Sequence, residues 1–361
     1  MPPSFRPVGR RQFLIGAGAL TGVALVPGLL TACGSSSSGS ATDSSAGGGG
    51  DFGGTAFQIN WIPDATYSGI YLADRNGYFT DAGFSSVDVL PGGADISPAP
   101  VVAGGQALVG IANAVSVAAA NQEGADLVVI GTTFQKNPYL VLSLPGSPLR
   151  TPNDLIGKTV ALDAVNQPVW EAFLTANGIE VGAVKTVPAN YDLSLLTNGS
   201  VDGYMGYVTN EPGALELQGI TPVELSFDDF GLPSVDEVLV TTKSAAGSKG
   251  EEVKAVLAAI LRGYQDFVGD PAAGAALTIE RYGTSAGLDD QVQGLVAQNV
   301  AAIMVTPEVK ESGLLTISAD RQALTLATLE KGGTAADAGL FDLTLLEQVL
   351  ASEPTLSSVP A

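Results

Sequence analysis

Trp61 ends an alternating apolar segment, Phe57-Gln58-Ile59-Asn60-Trp61; Asp64 follows it closely, and Tyr67 and Tyr71 come next at a spacing of four. An indole beside a carboxylate suits a flat ring that carries nitrogen, because the indole stacks on the ring face while the carboxylate accepts a hydrogen bond from its edge. Residues four apart on a helix share one face, so both tyrosines can line the same pocket. The competing assignment puts Trp61 in the core, Asp64 at a helix cap and Tyr71 against a sheet. A second constellation, Tyr204, Tyr207, Asn210 and Glu211, joins aromatic surface to hydrogen-bond acceptors at the end of an apolar run. Its bland alternative is core or hinge packing for the tyrosines and a helix N-terminal acid at Glu211.

Asn166 and Gln167 lie between the strand-like run 159–162 and a helical segment, at the expected rim of a cleft. Asn113 and Ser116 open another helix after Gly104, Gly105 and Gly110. Unpaired N–H groups at such a start can hold a polar or anionic group, unless the small residues serve only close packing. The glycine spacing is not that of a dinucleotide-binding turn. Asp64 and Glu211 leave acid–base chemistry by paired carboxylates open. With no histidine and a single cysteine, Cys33, the chain cannot build zinc sites of the Cys or His type. No metal and no cofactor are expected.

These residues need strands and helices to position them. Apolar runs at 87–90, 107–111, 127–130 and 139–144 predict strands, with a helix from Asp64 to Asn76-Gly77 and another over 113–120. The alternation restarts with strands at 159–162, 184–187, 201–205 and 223–227 and helices at 169–176 and 211–217. After a strand at 235–240 the chain turns mainly helical, and Val253, Val256, Leu257, Ile260, Leu261 and Tyr264 form one apolar face. Strands alternating with helices in two successive blocks imply two α/β lobes with parallel sheets. The late helices must cover a sheet already made, so the chain should leave the first lobe, build the second and return. The expected domains are lobe I over 55–144, lobe II over 145–238, the return and helices of lobe I over 239–330, and a C-terminal extension over 331–361. Two crossovers make a hinge, and the cleft between the lobes can close on a small solute.

The net charge of −21 grows more negative once the leader arginines Arg6, Arg10 and Arg11 are set aside. Such a surface repels nucleic acid and anionic bilayers. Residues 1–32 resemble a bacterial lipoprotein signal: arginines, then the largely apolar stretch 13–30, then Leu30-Thr31-Ala32 before Cys33. The run is broken by Gly22, Pro27 and Gly28, unlike a transmembrane anchor. Gly9-Arg10-Arg11-Gln12-Phe13-Leu14 also resembles a twin-arginine signal, which leaves the export route open between that and general secretion. The resemblance implies export and acyl chains on Cys33 that anchor the protein to the outer face of the cytoplasmic membrane. Residues 33–54, rich in Gly, Ser and Ala, read as a flexible tether.

The segment from Asn60 to Ala73, with Asn76-Gly77-Tyr78-Phe79 and Ala82-Gly83, resembles the opening of the solute-binding proteins for thiamine-pyrimidine precursors, nitrate and sulfonates. Gly146-Ser147-Pro148, the run 151–158 and Gly203 to Pro212 extend the resemblance over about 55–330. It implies a two-lobe periplasmic-binding-protein-like fold (type II) and a monomer that delivers a solute to an ABC importer permease. The pyrimidine branch is the nearest, although Tyr67 stands where that branch commonly carries histidine. The alternatives are a nitrate, sulfonate or taurine binder, a pyrimidine-making enzyme, and a surface scaffold lipoprotein. A yeast-like relative consumes its own histidine to make the pyrimidine, and this chain has none.

Overall fold

The computed structural model describes residues 51–360. The leader, Cys33 and most of the tether lie outside the described residues. Ten strands form two five-stranded sheets. The first has the order β2-β1-β3-β10-β4, built from β1 (Gly53–Gln58), β2 (Phe84–Leu90), β3 (Val109–Ala112), β4 (Leu127–Phe134) and β10 (Asp236–Thr242). The second has the order β7-β6-β8-β5-β9, built from β5 (Tyr139–Ser143), β6 (Thr159–Ala161), β7 (Lys185–Val187), β8 (Gly203–Tyr207) and β9 (Val223–Ser226). The chain crosses between lobes twice, over 135–138 and 227–235.

Each sheet is mixed, not purely parallel as the alternation suggested. β10 runs antiparallel to β3 and β4, and β5 runs antiparallel to β8 and β9. Both are the first strand after a crossover, and each enters its sheet from the side opposite to its βα neighbours. The crossovers also lie away from the expected boundaries at 144 and 238. β5 belongs to the second sheet and β10 to the first, because an apolar run shows burial but not which sheet buries it. At the N-terminus Gly53 and Gly54, expected in the tether, already pair with Phe84 and Ser86. The C-terminal extension is folded onto lobe I: Phe341 bridges to Val129, and the helix Thr344–Ser352 packs on the helix Gly250–Gly269.

Local packing fixes the segment that carries Trp61 and Asp64. The helix Ser68–Arg75 crosses Gly250–Gly269 where Gly69 and Gly263 meet. A Cβ on Gly263 would strike the Gly69 carbonyl oxygen, and one on Gly69 would strike the Tyr264 ring, so only glycine permits this approach. Gly77, with φ of 78°, ends the following turn in the left-handed region. In lobe II, Trp170, Phe173 and Phe227 pack together, Phe173 and Phe227 stacking with ring centroids 3.8 Å apart. Helix Gln167–Ala176 of lobe II also touches helix Ala114–Gln122 of lobe I, so the lobes share apolar packing on that side.

Candidate functional site

The two sheets present matching strand-to-helix segments to the interlobe cleft, at the carboxyl ends of their parallel strands, where open α/β sheets bind ligands. From lobe I come Trp61, Asp64, Thr66 and Tyr67, between β1 and helix Ser68–Arg75. From lobe II come Tyr204, Met205, Gly206, Tyr207, Asn210 and Glu211, at the end of β8 and the start of helix Glu211–Leu217. Asp163, Asn166 and Tyr191 complete the lining. The space they leave is about 30 Å³, room for little more than one water molecule, so a ring-sized solute requires the walls to part.

Asp64 caps its segment and faces the cleft at once. Its Oδ1 accepts the Thr66 N–H at 2.9 Å, while Oδ2 accepts Nδ2 of Asn210 from the other lobe at 3.0 Å. Burial raises its pKa to about 6 against these hydrogen bonds, which lower it. Glu211 reaches back to its own strand: its Oε2 accepts the Tyr207 N–H at 2.7 Å, over Gly206, whose missing Cβ leaves the carboxylate its seat. Burial lifts its pKa to about 7, and Asp64 and Asp163 push the same way.

Behind the tyrosines lies a further carboxyl, Glu237, fully buried on β10. Its Oε1 accepts Nδ2 of Asn60 at 2.7 Å and the hydroxyl of Tyr207 at 2.9 Å, while Oε2 is buried without a hydrogen-bond partner. Burial raises its pKa to about 7. Its backbone sits at φ 47°, a left-handed conformation uncommon for glutamate. Tyr139 packs edge-on to Tyr207 at 4.6 Å and donates its hydroxyl to Oδ1 of Asn166 at 3.2 Å.

The cleft mouth is closed by Tyr191. Its ring meets Trp61 edge-on at 4.9 Å, and its hydroxyl accepts the Ala94 N–H of lobe I at 2.8 Å. Asn190 and Tyr191 both have left-handed backbones, φ 50° and 59°, and the Asn190 N–H is held by Oδ1 of Asp163 at 2.8 Å. A further main-chain bond joins the lobes, from Val165 N–H to the Ala94 carbonyl at 2.8 Å.

Of the residues singled out from sequence, Trp61, Asp64, Tyr67, Asn166, Tyr204, Tyr207, Asn210 and Glu211 come together in this cavity. Tyr71 does not: it packs on Tyr282 at 4.9 Å, and its buried hydroxyl has no partner. Asn113 caps its helix, its Oδ1 accepting the Ser116 N–H at 2.7 Å, and neither residue lines the cleft. Gln167 lies along its own helix, donating to Glu171 at 2.7 Å. Asp163, Tyr191 and Glu237 were missed. For Glu237 a signal existed, since Asp236-Glu237 interrupts an otherwise apolar strand and buried acids demand partners. Among the described residues no group of His, Cys, Asp and Glu side chains could hold a metal ion.

Two mixed α/β lobes, joined by two crossovers around an aromatic and acidic cleft, define the periplasmic-binding-protein fold. The NMT1/THI5-like family matches residues 64–274, more than half of the chain, and the chain belongs to that family. It is 26% identical over 218 residues to a formylaminopyrimidine-binding protein of Halalkalibacterium halodurans, covering 59% of this chain and 66% of that protein. It is 24% identical over 225 residues to the riboflavin-binding protein RibY of Chloroflexus aurantiacus, covering 59% and 62%. The chain thus spans less than two thirds of the length of these relatives. The periplasmic aliphatic sulphonate binding protein SsuA of Escherichia coli superposes with a TM-score of 0.57 at 17% identity, over 81% of this chain and 91% of its own. A desulfurization enzyme, DSZB, superposes with a TM-score of 0.53 at 15% identity, over 82% and 99%, so catalysts also use this fold.

Proposed function

We propose that this protein is the extracytoplasmic solute-binding component of an ABC importer, and that its solute is a nitrogen heterocycle of the thiamine-pyrimidine-precursor kind. The observation that carries this reading is the cavity itself: Trp61, Tyr67, Tyr191, Tyr204 and Tyr207 around Asp64, Asp163 and Glu211. Aromatic faces take the ring, carboxylates take its N–H donors, and Asn166 and Asn210 offer both donor and acceptor. The relatives named for formylaminopyrimidine and riboflavin bind flat nitrogen-rich rings, which agrees with this chemistry. A sulfonate or nitrate reading has support only from the fold, because among the described residues no Lys or Arg lines the cavity to meet an anion. Catalysis is disfavoured by the same arrangement, in which each carboxyl of the cleft holds or braces a structural N–H or hydroxyl.

Binding is reversible in this scheme. The lobes part, the ring enters between Trp61 and the tyrosines, and closure restores the bonds from Asn210 to Asp64 and from Ala94 to Tyr191. A permease then recognises the closed form, and acyl chains on Cys33 hold the monomer at the outer face of the cytoplasmic membrane. Calorimetry against hydroxymethylpyrimidine, formylaminopyrimidine, thiamine, riboflavin, nitrate and an alkyl sulfonate tests the ligand. Saturable binding to a heterocycle, weakened at least tenfold by Trp61→Ala, is the expected result. A preference for nitrate or the sulfonate would reject it. Metabolic labelling with a radioactive fatty acid, lost in Cys33→Ala, tests the anchor.

A further inference from the structure

We propose that the molecule held between the lobes is an organic cation, whose positive charge compensates Asp64, Glu211 and Glu237, carboxyls that no basic side chain among the described residues pairs with. The proposal rests on the heterocycle reading above and adds a charge to it. The ion pairs among the described residues lie elsewhere, for example Arg281 with Asp74, Lys158 with Asp202 and Arg321 with Glu308. None involves a carboxyl of the cleft, and no Lys or Arg among the described residues lines the cavity.

The second, independent observation is Glu237. One of its oxygens serves both Asn60 and Tyr207, and the other is buried and makes no hydrogen bond of ordinary geometry, although the Tyr67 side chain stands near enough as a donor to lower its pKa. A buried carboxylate left unpaired is costly, and it persists where the surroundings impose it or where a partner arrives with a ligand. The groups that act on Glu237 electrostatically are Asp64, Asp236, Tyr67, Tyr139, Tyr207 and Tyr264, every one acidic or neutral. Those acting on Glu211 include Asp64, Asp163 and Tyr204. Tyr67 and Tyr207 line the open space and Glu237 does not, so its charge acts on the ligand from behind these two side chains, at longer range than Asp64 and Glu211. The field of the site is therefore negative from both lobes, and it is offset only by protonating its carboxyls or by admitting a cation. Burial already pushes these groups toward protonation, Asp64 to about 6 and Glu211 and Glu237 to about 7. A bound cation reverses that push and expels the protons.

A matched pair of probes tests the charge on the full chain. Aminomethylpyrimidine carries a protonated amine at neutral pH, whereas its N-formyl derivative is neutral and nearly the same shape. Calorimetry at about pH 7.5 should show the amine bound at least tenfold more tightly. The heat should depend on the buffer, because protons are released on binding. At about pH 5 the preference should shrink, since the carboxyls are then protonated, while affinity for the formyl compound stays level. Glu237→Gln keeps an acceptor oxygen for Asn60 and Tyr207 and removes the charge; it should bring the two probes to within about threefold of each other. Equal or tighter binding of the neutral compound by the wild-type protein overturns the cation and leaves the heterocycle reading standing. Binding of agmatine, a cation without a ring, in the absence of binding to either pyrimidine would keep the charge and reject the ring. Binding of an alkyl sulfonate alone, or silence toward every probe from folded protein, overturns both.

Discussion

The two segments that face each other across the cleft follow one plan and anchor it differently. In lobe I the chain runs from β1 through Trp61 to Asp64 and a helix; in lobe II it runs from β8 through Tyr207 to Glu211 and a helix. Asp64 reaches forward, accepting the Thr66 N–H inside its own helical turn. Glu211 reaches backward, accepting the Tyr207 N–H at the strand end. The lobe I segment takes its position from outside, through the glycine crossing of helices Ser68–Arg75 and Gly250–Gly269 and through the bond from Ala65 N–H to Gln293 at 2.7 Å. The lobe II segment is braced at its strand end by its own acid, and meets lobe I through the Tyr207 hydroxyl on Glu237 at 2.9 Å and Asn299 Nδ2 on the Thr209 carbonyl at 3.2 Å. Lobe I is thus the fixed wall, and the shape of lobe II at the cleft depends on a group that the ligand can also address.

If that distinction holds, the same small substitution should do different damage in the two lobes. Gly263→Ala sets a methyl against backbone, the Gly69 carbonyl, and neither helix can yield without moving Asp64. A loss on the order of 3 kcal/mol in chemical denaturation is expected, with ligand binding lost alongside. Gly206→Ala meets a side chain and not backbone, that of Glu211, whose Oε2 lies 2.5 Å from the added Cβ. It should displace the carboxylate, leave the Tyr207 N–H unpaired and cost no more than about 2 kcal/mol while the lobe stays folded. Similar losses for the two variants would mean that both segments are held in the same way.

Removing the acids sharpens the contrast. Near pH 5 Asp64→Ala should cost about 1 kcal/mol, the usual value of a helix cap, and Glu211→Ala about 2 kcal/mol because the buried Tyr207 N–H is orphaned. The pH dependence has a definite sign. Asp64, Glu211 and Glu237 have folded pKa values raised from 3.8, 4.5 and 4.5 to about 6, 7 and 7. The folded state therefore holds protons that the unfolded chain releases. Their contribution is complete below about pH 4 and lost as the pH rises through about 7. Stability of the free protein should fall over that window, and Glu211→Gln should recover on the order of 2 kcal/mol at pH 8. A flat profile would show that these carboxyls are better solvated than their burial implies.

Much of this architecture can be read from the chain, for reasons that differ between elements. Periodicity places the helix Gly250–Gly269 because its buried face recurs at the helical period over many turns. Trp61, Asp64, Tyr207 and Glu211 are legible because aromatic and acidic residues cluster where strands end. The sheet membership of Tyr139–Ser143 is not legible, since pairing is non-local and an apolar run is equally buried in either sheet. Tyr191 escapes for a related reason: its value comes from the left-handed turn at Asn190-Tyr191 and from Ala94 of the other lobe, and neither leaves a local pattern. Tyr71 misleads because helical spacing puts it on a face with Tyr67 without showing that this face turns inward to Tyr282.

The smallest expected effect bears on how the two segments communicate. Asn210 Nδ2 donates to Asp64 Oδ2 at 3.0 Å, a direct side-chain bond between the fixed wall and the self-anchored one. Asn210→Ala leaves both acids in place: Asp64 keeps Thr66 and Glu211 keeps Tyr207. The bond is made only when the lobes are together, so its loss should leave unfolding nearly unchanged and act on closure. About 1 kcal/mol of closure energy corresponds to roughly a fivefold weaker ligand affinity, appearing mainly as faster dissociation. Fluorescent labels on the two lobes should report a larger open fraction in the variant before ligand is added. If affinity and open fraction both match the wild-type protein, closure rests instead on Tyr191 with Ala94 and Trp61, and Tyr191→Phe becomes the variant that opens the cleft.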